Sequence, residues 1–260
     1  MKRFIEDTKK YWAYAIRAGK SDLKSEIATN RLSWLWWILD PLLFMLVYSF
    51  VSVIVFHRSE KFLAAFIFVG LSSWNFFRDN VVQSVTLVSK QRSVVSKVYI
   101  PKFALIYTRL YVNGFKMLIS YFLVIFIMIA YRVPLSYRIV YFIPYMFLLL
   151  VVTFGISTIM LNVGVFISDM SNIMNALMRL LFYFSGVFYS ITKRVPKPYG
   201  NLMLKINPIA YIMDSLRRSL LYSENPDWKW FIISFVFGVL TSIWGVYLIY
   251  KNENTYVKVI

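Results

Sequence analysis

The groups in this chain that could do chemistry are few and scattered. Asp40, Asp79, Asp169 and Asp214 are the acids within or beside its apolar stretches, and none has a second carboxylate at the spacing of a general acid and base. The lone histidine, His57, has no partner at a metal-ligand interval and reads as a solvated loop residue. Cysteine is absent, which removes disulfides and thiolate metal sites. No G-x-x-x-x-G-K-[ST] loop, G-x-S-x-G or H-E-x-x-H string occurs. The sequence argues against an enzyme, so no catalytic residue, metal or cofactor is expected in this chain.

Its polar residues stand instead where they need protection. Asp40 precedes Pro41 early in an apolar run; a carboxylate at that depth costs a few kcal/mol unless it faces protein or water. Its plainer reading is an acid at the interface. Arg109, Asn113 and Lys116 fall at i, i+4 and i+7 and share one helix face. That stripe is expected to meet other helices, water or headgroups. Arg78 and Asp79 are adjacent, too close to face one another on a helix, so each is expected to find another partner.

The elements that hold these residues are apolar helices. Of all residues 59% are hydrophobic, and six apolar stretches run between Trp34 and Tyr250. About 20 such residues cross the ~30 Å hydrocarbon core. Trp34–Phe56, Lys116–Tyr131 with its flanks, Ile139–Ser168 and Trp230–Tyr250 are clean; Phe62–Phe77 and Ile173–Ile191 are shorter or carry charge. The expected fold is all-α and polytopic. A cytoplasmic segment 1–33 precedes a six-span domain, 34–250, and a cytoplasmic tail, 251–260. No short apolar leader precedes the first span, which is expected to be a retained anchor. Within residues 3–24, Phe4, Ile5, Trp12, Ala15 and Ile16 gather on one side of a helix and Lys9, Lys10, Arg17 and Lys20 lie elsewhere, the pattern of a helix lying at the interface.

Net charge is +17, from 29 Lys+Arg against 12 Asp+Glu. Beside spans this favours anionic membrane lipids over nucleic acid. Lys2, Arg3, Lys9, Lys10, Arg17, Lys20, Lys24 and Arg31 place the N-terminus in the cytoplasm, and six crossings return the tail to that side. Lys193, Arg194, Lys197, Lys205, Arg217 and Arg218 then fall outside, against the positive-inside rule.

The segment 192–227 is the least ordinary. Asn207 and Pro208 read as cap and first turn of a helix whose Ile209, Met213, Leu216 and Leu220 share a face, with Asp214 and Arg218 paired at i, i+4. It is apolar enough to enter a membrane yet too short and charged to cross. A re-entrant segment before the last span is expected, with Leu202–Ile206 descending.

Several strings in order resemble one family, the membrane subunits of type-two ABC exporters for polysaccharide, O-antigen or teichoic acid. RLSWLWWILDPLLFMLVYSFV looks like its first span, VGLSSWNFF its second, SKVYIPKFAL its Lys-Val-Tyr-Phe-Pro-Arg loop, LNVGVFISDM the end of its fourth span, FYFSGVFYS its Ser-Pro-Val-x-Tyr element, and INPIAYIMDSLRRSLL its Asn-Pro helix. Gly186 stands where that element usually has Pro. The resemblance implies a homodimer bound to two copies of a cytoplasmic ATPase that holds ATP and Mg, exporting a lipid-linked glycopolymer through a channel between the two membrane subunits. It implies that the loop 89–102 couples to the ATPase, through Ser93, Val94, Val95, Ser96, Lys97, Val98 and Tyr99. It makes 192–227, with Asn207, Pro208, Asp214, Arg217 and Arg218, an outer gate. Aromatic side chains are 19% of the chain. Tyr48, Trp74, Phe76, Phe77, Tyr183, Phe184, Phe188 and Tyr189 are candidates to line the channel, because rigid rings suit the apolar faces of sugars. Alternative readings are an exporter of drugs or small lipids, or an ion-coupled transporter using Asp40, Asp79 or Asp169.

Overall fold

In the computed structural model, which describes residues 2–29, 32–55, 57, 60–134 and 136–259, every regular element among those residues is helical. Arg31, Phe56 and Ile260 lie outside the described residues. The chain begins with α1 (Lys2–Thr29) and α2 (Ser33–Phe50), extended by a π-helical turn Val51–Val55. Then come α3 (Leu63–Val85), the short α4 (Leu87–Lys90) and α5 (Arg92–Val95), and α6 (Lys102–Ala130). A 3-10 turn Tyr137–Tyr141 leads into α7 (Phe142–Phe166), followed by α8 (Met170–Phe184) and α9 (Ile191–Arg194). The last elements are α10 (Tyr199–Ile206), α11 (Pro208–Leu221) and α12 (Trp228–Val259).

Among the described residues, four stretches are long and apolar enough to cross a membrane: Trp34–Ile54, Lys102–Ala130, Tyr137–Phe166 and Trp228–Tyr256. The expected six reduce to four on this measure, for two different reasons. Helix α8 has 15 residues and rises about 22 Å, short of the hydrocarbon thickness. Helix α3 is long enough but polar in its second half, and 18 of its 23 residues are buried, so it is the strut around which the bundle is built. Its polar groups are satisfied inside: Ser73 Oγ lies 2.7 Å from Tyr121 Oη, and Asn113 donates to Asn80 Oδ1 at 3.1 Å. A helix wrapped by protein does not need an apolar composition.

The re-entrant segment is not evident either. Helices α10 and α11 follow one another around Asn207, whose Oδ1 accepts from the backbone of Ile209 and Ala210. Ile209, Met213, Leu216 and Leu220 are buried as their spacing requires, with α11 packed on α3 and α7. It is a core helix rather than a loop dipping into lipid.

Helices α7 and α12 form the most extensive pairing. Small residues let them approach: a Cβ on Gly245 would collide with Thr158 Oγ1. Helix α1 is also docked, along α6. Asp22 meets Arg109 at 3.3 Å and Glu26 meets Lys116 at 2.7 Å. The stripe on α6 thus finds its carboxylates on the amphipathic helix, one turn apart. Pro41 does not break α2, which continues to Phe50.

Candidate functional site

Two cavities lie along α2, one toward each end. The first, about 460 Å³, is bounded by Tyr48, Val51 and Ser52 of α2, by Glu60 and Leu63, and by Tyr183, Phe188, Tyr189 and Arg194. Tyr48 and Phe188 stack with ring centroids 4.6 Å apart and planes 9° from parallel, and Phe182 packs against both. The backbone makes this wall. Helix α8 stops at Phe184, and Gly186 takes φ +63, a conformation that a side chain resists, turning the chain so that Phe188 and Tyr189 come back beside Tyr183. Tyr189 Oη donates to the Tyr183 carbonyl at 2.7 Å.

Glu60 is buried at the rim and accepts from Lys193 and Arg194, both at 3.1 Å. Arg218 holds Asp214 at 2.8 Å, and Lys205 covers the ring of Trp230. Arg217 is buried and donates to the carbonyls of Phe66 at 3.0 Å, Gly186 at 2.7 Å and Val187. Five of the six cations expected to fall against the charge rule are therefore tied into the fold at this end.

The second cavity, about 200 Å³, lies between α2, α3 and α6, with Trp36, Trp37 and Asp40 facing Asn75, Asp79 and Lys116. Asp40 is exposed on a helix apolar enough to cross a bilayer. A carboxylate there is not tolerated by hydrocarbon, so this flank of α2 faces water or protein. Asp79 pairs with its neighbour Arg78 at 2.7 Å, contrary to the expectation that adjacent residues could not meet; the long arginine arm curls back along the helix surface.

A third feature escaped the sequence reading. Asn172, Asn175, Arg179 and Tyr183 fall at i, i+3, i+7 and i+11 of the chain and form one exposed stripe on α8. The stripe climbs to the aromatic cavity, where Tyr183 is a wall residue. Its signal was present in the string DMSNIMNALMRLLFYF, hidden by its many apolar letters.

The aromatic candidates divide. Tyr48, Tyr183, Phe188 and Tyr189 converge on one cavity. Trp74 and Phe77 are 2% and 3% exposed, so they are core residues and not channel walls. Phe76 is as buried but borders the Asp40 cavity, and Phe184 is exposed outside both. Asn207 and Pro208 start α11, and Asn207 also donates to Ser185 Oγ at 2.8 Å, tying the α11 cap to the end of α8.

At the other end of the bundle the loop 89–102 carries little helix. Of Ser93–Tyr99 only Ser93–Val95 are helical, in α5 (Arg92–Val95), and the chain then turns toward Pro101, whose ring keeps the preceding residue extended. Val95 is buried, Ser93, Ser96, Lys97, Val98 and Tyr99 are exposed, and the side chain of Val94 lies outside the described structure. Both termini grip this loop. Arg3 donates to Tyr99 Oη at 2.6 Å and to Glu253 at 2.9 Å, Tyr99 donates to Glu253 at 3.0 Å, and Tyr11 donates to the Tyr99 carbonyl at 3.2 Å. Burial and then the Glu253 carboxylate push the Tyr99 hydroxyl above its ordinary pKa, so it stays a donor at neutral pH.

The sequence profile described as ABC-2 type transporter matches residues 20–221. The chain is 26% identical over 227 residues to the O-antigen export system permease protein RfbA of Myxococcus xanthus, covering 87% of each chain. Two Klebsiella pneumoniae proteins of the same description are 21% and 22% identical over 240 residues, 92% of each chain.

Proposed function

The chain belongs to the ABC-2 type transporter family, and from that premise we propose that it is one half of an ATP-driven conduit for a lipid-linked surface polysaccharide of the O-antigen, capsule or teichoic acid type. The observation that carries the reading is the stripe Asn172–Asn175–Arg179–Tyr183 leading to the stacked Tyr48–Phe188 pair. Amides and a guanidinium bond sugar hydroxyls, and rings cover the apolar faces of pyranoses with little loss of freedom. The stripe and Asp40 lie on exposed flanks. A second copy facing them about a two-fold axis would close a passage and remove both from lipid.

Six traverses of the bundle fit this reading better than four. Arg3, Tyr99 and Glu253 meet at one end, and Tyr256 joins them there by bonding Asn162 at 2.7 Å near the end of α7. The chain must leave and return an even number of times between those points, which α3 accomplishes inside the protein and α8 along its flank. The basic N-terminal segment puts that end in the cytoplasm, and 89–102 becomes the surface that receives a separate ATPase.

Co-expression with a partner ATPase is expected to yield a two-by-two complex, and vesicles holding that complex are expected to move polymer only with ATP. Replacing Ser93–Tyr99 by a Gly/Ser linker should abolish transport and leave the chain inserted. Transport by this chain alone, or unimpaired coupling after that replacement, would refute the proposal.

A further inference from the structure

A third cavity shares no residue with the two along α2. It is about 630 Å³, with Phe4, Trp12 and Ile16 of α1 on one side and Tyr107, Val151 and Val246 of α6, α7 and α12 on the others. No charged side chain lines it. Two of the hydroxyls at its wall are engaged: Tyr107 Oη lies 3.4 Å from Thr8 Oγ1, and Ser242 Oγ donates to the Gly238 carbonyl at 2.6 Å. Water gains nothing in such a space.

Its shape is that of a slot. On α7 the lining runs from Phe147 to Phe154 and on α12 from Val239 to Val246, about 10 Å of rise on each. The slot starts at α1 and climbs between two helices long enough to span a bilayer. At its foot the amphipathic helix supplies charge. Lys9 follows Ile5 by one turn and precedes Trp12 by three residues, and Lys20 follows Ile16 by one turn. Both lysines are exposed and neither has a carboxylate partner among the described residues, whereas Arg3, Arg109 and Lys116 all do.

We propose that this groove seats one acyl chain of a resident anionic phospholipid, whose headgroup is drawn to the positive flank that Lys9 and Lys20 give α1. The lipid is a fixed component and not cargo, because the slot opens on α1, α7 and α12 and touches neither the α8 stripe nor the aromatic cavity. It fills the space beneath α1 and fastens that helix to the bundle from the side that the α6 ion pairs leave uncovered.

Trp12 provides the readout. The full-length chain in detergent is titrated with phosphatidylglycerol brominated on its acyl chain, and tryptophan fluorescence is followed. Saturable quenching at one lipid per chain is expected, and Trp12→Phe should remove that component. Lys9→Gln and Lys20→Gln should each weaken it about fivefold, with little effect on brominated phosphatidylcholine. Ala15→Leu or, independently, Val151→Phe narrows the slot from opposite walls and should abolish the saturable phase while helical content and monodispersity persist. Quenching that never saturates, that survives Trp12→Phe, or that is equal for the two lipids overturns the proposal. So does displacement by a polyprenyl phosphate at concentrations where excess phosphatidylglycerol fails, since that would make the slot a cargo site.

Discussion

Arg217→Met bears most directly on how the end of the bundle near Tyr48 is held. The guanidinium donates to three backbone carbonyls and lies 3.6 Å from the centroid of the Phe66 ring. Asp214, three residues back, is bonded to Arg218 instead. Methionine restores much of the volume, so the cavity cost is small. What it removes is three hydrogen bonds from a charged donor, each worth about 1.5–3 kcal/mol. Phe66 lies inside α3 and its carbonyl keeps the helical bond, but the Gly186 and Val187 carbonyls sit in a turn and are orphaned. Relief of the cost of burying the charge offsets part of the loss. The balance is a destabilisation of about 2–4 kcal/mol. At roughly 2–4 °C per kcal/mol for a chain of this size, the Tm in detergent should fall by about 5–15 °C, read as loss of monodisperse protein after heating. Gly70→Ala attacks the same cage from the other side, because its Cβ would overlap Arg217 Nη2 and stand 2.7 Å from the Val187 carbonyl. The double substitution should therefore cost much less than the sum of the two. An unchanged Tm for Arg217→Met, or fully additive losses, would refute the cage as the tie between α11 and α3.

Reversing one member of the α1–α6 clasp, Lys116→Glu or Glu26→Lys, should expose α1 to trypsin, and combining them should restore protection; the pair is partly exposed, so each change is worth only about 1 kcal/mol or less. Tyr48→Ala should cut polymer export several-fold with the complex still assembled, whereas Tyr48→Phe keeps the stack on Phe188 and should keep most export, measured as surface glycan. Glu253→Gln leaves Tyr99 without its carboxylate and Arg3 with Asp7 alone, and should lower polymer moved per ATP hydrolysed without lowering the yield of complex; unchanged stoichiometry would separate the clamp from coupling.

What the sequence disclosed depended on how local the cause was. The start of α11 was legible because an Asn-Pro pair caps its own helix, and the Asp214–Arg218 pair because i, i+4 neighbours meet on any helix. The amphipathic α1 was legible as a helix but not as a docked one: Asp22 and Glu26 are ordinary surface acids until α6 is laid beside them. Arg217 could not be foreseen, since its partners are main-chain oxygens 30 to 151 residues away that have no letter in the sequence. Trp74 and Phe77 misled for a related reason, as an aromatic ring suits a sugar and a core equally well. The second apolar stretch looked short, ending at Phe77, because the partners that satisfy the polar groups of α3, Tyr121 and Asn113, lie on another helix.

Helix α12 is one unbroken rod from Trp228 to Val259, about 48 Å long. Its first turns sit under Lys205 of α10, and its last hold Arg3 and Tyr99 through Glu253. A rod without a joint acts as a lever: a push delivered to the loop at one extremity reappears as a swing at the other. Were the proposed ATPase to press on that loop, helices α10 and α11 would feel it through a single stiff member.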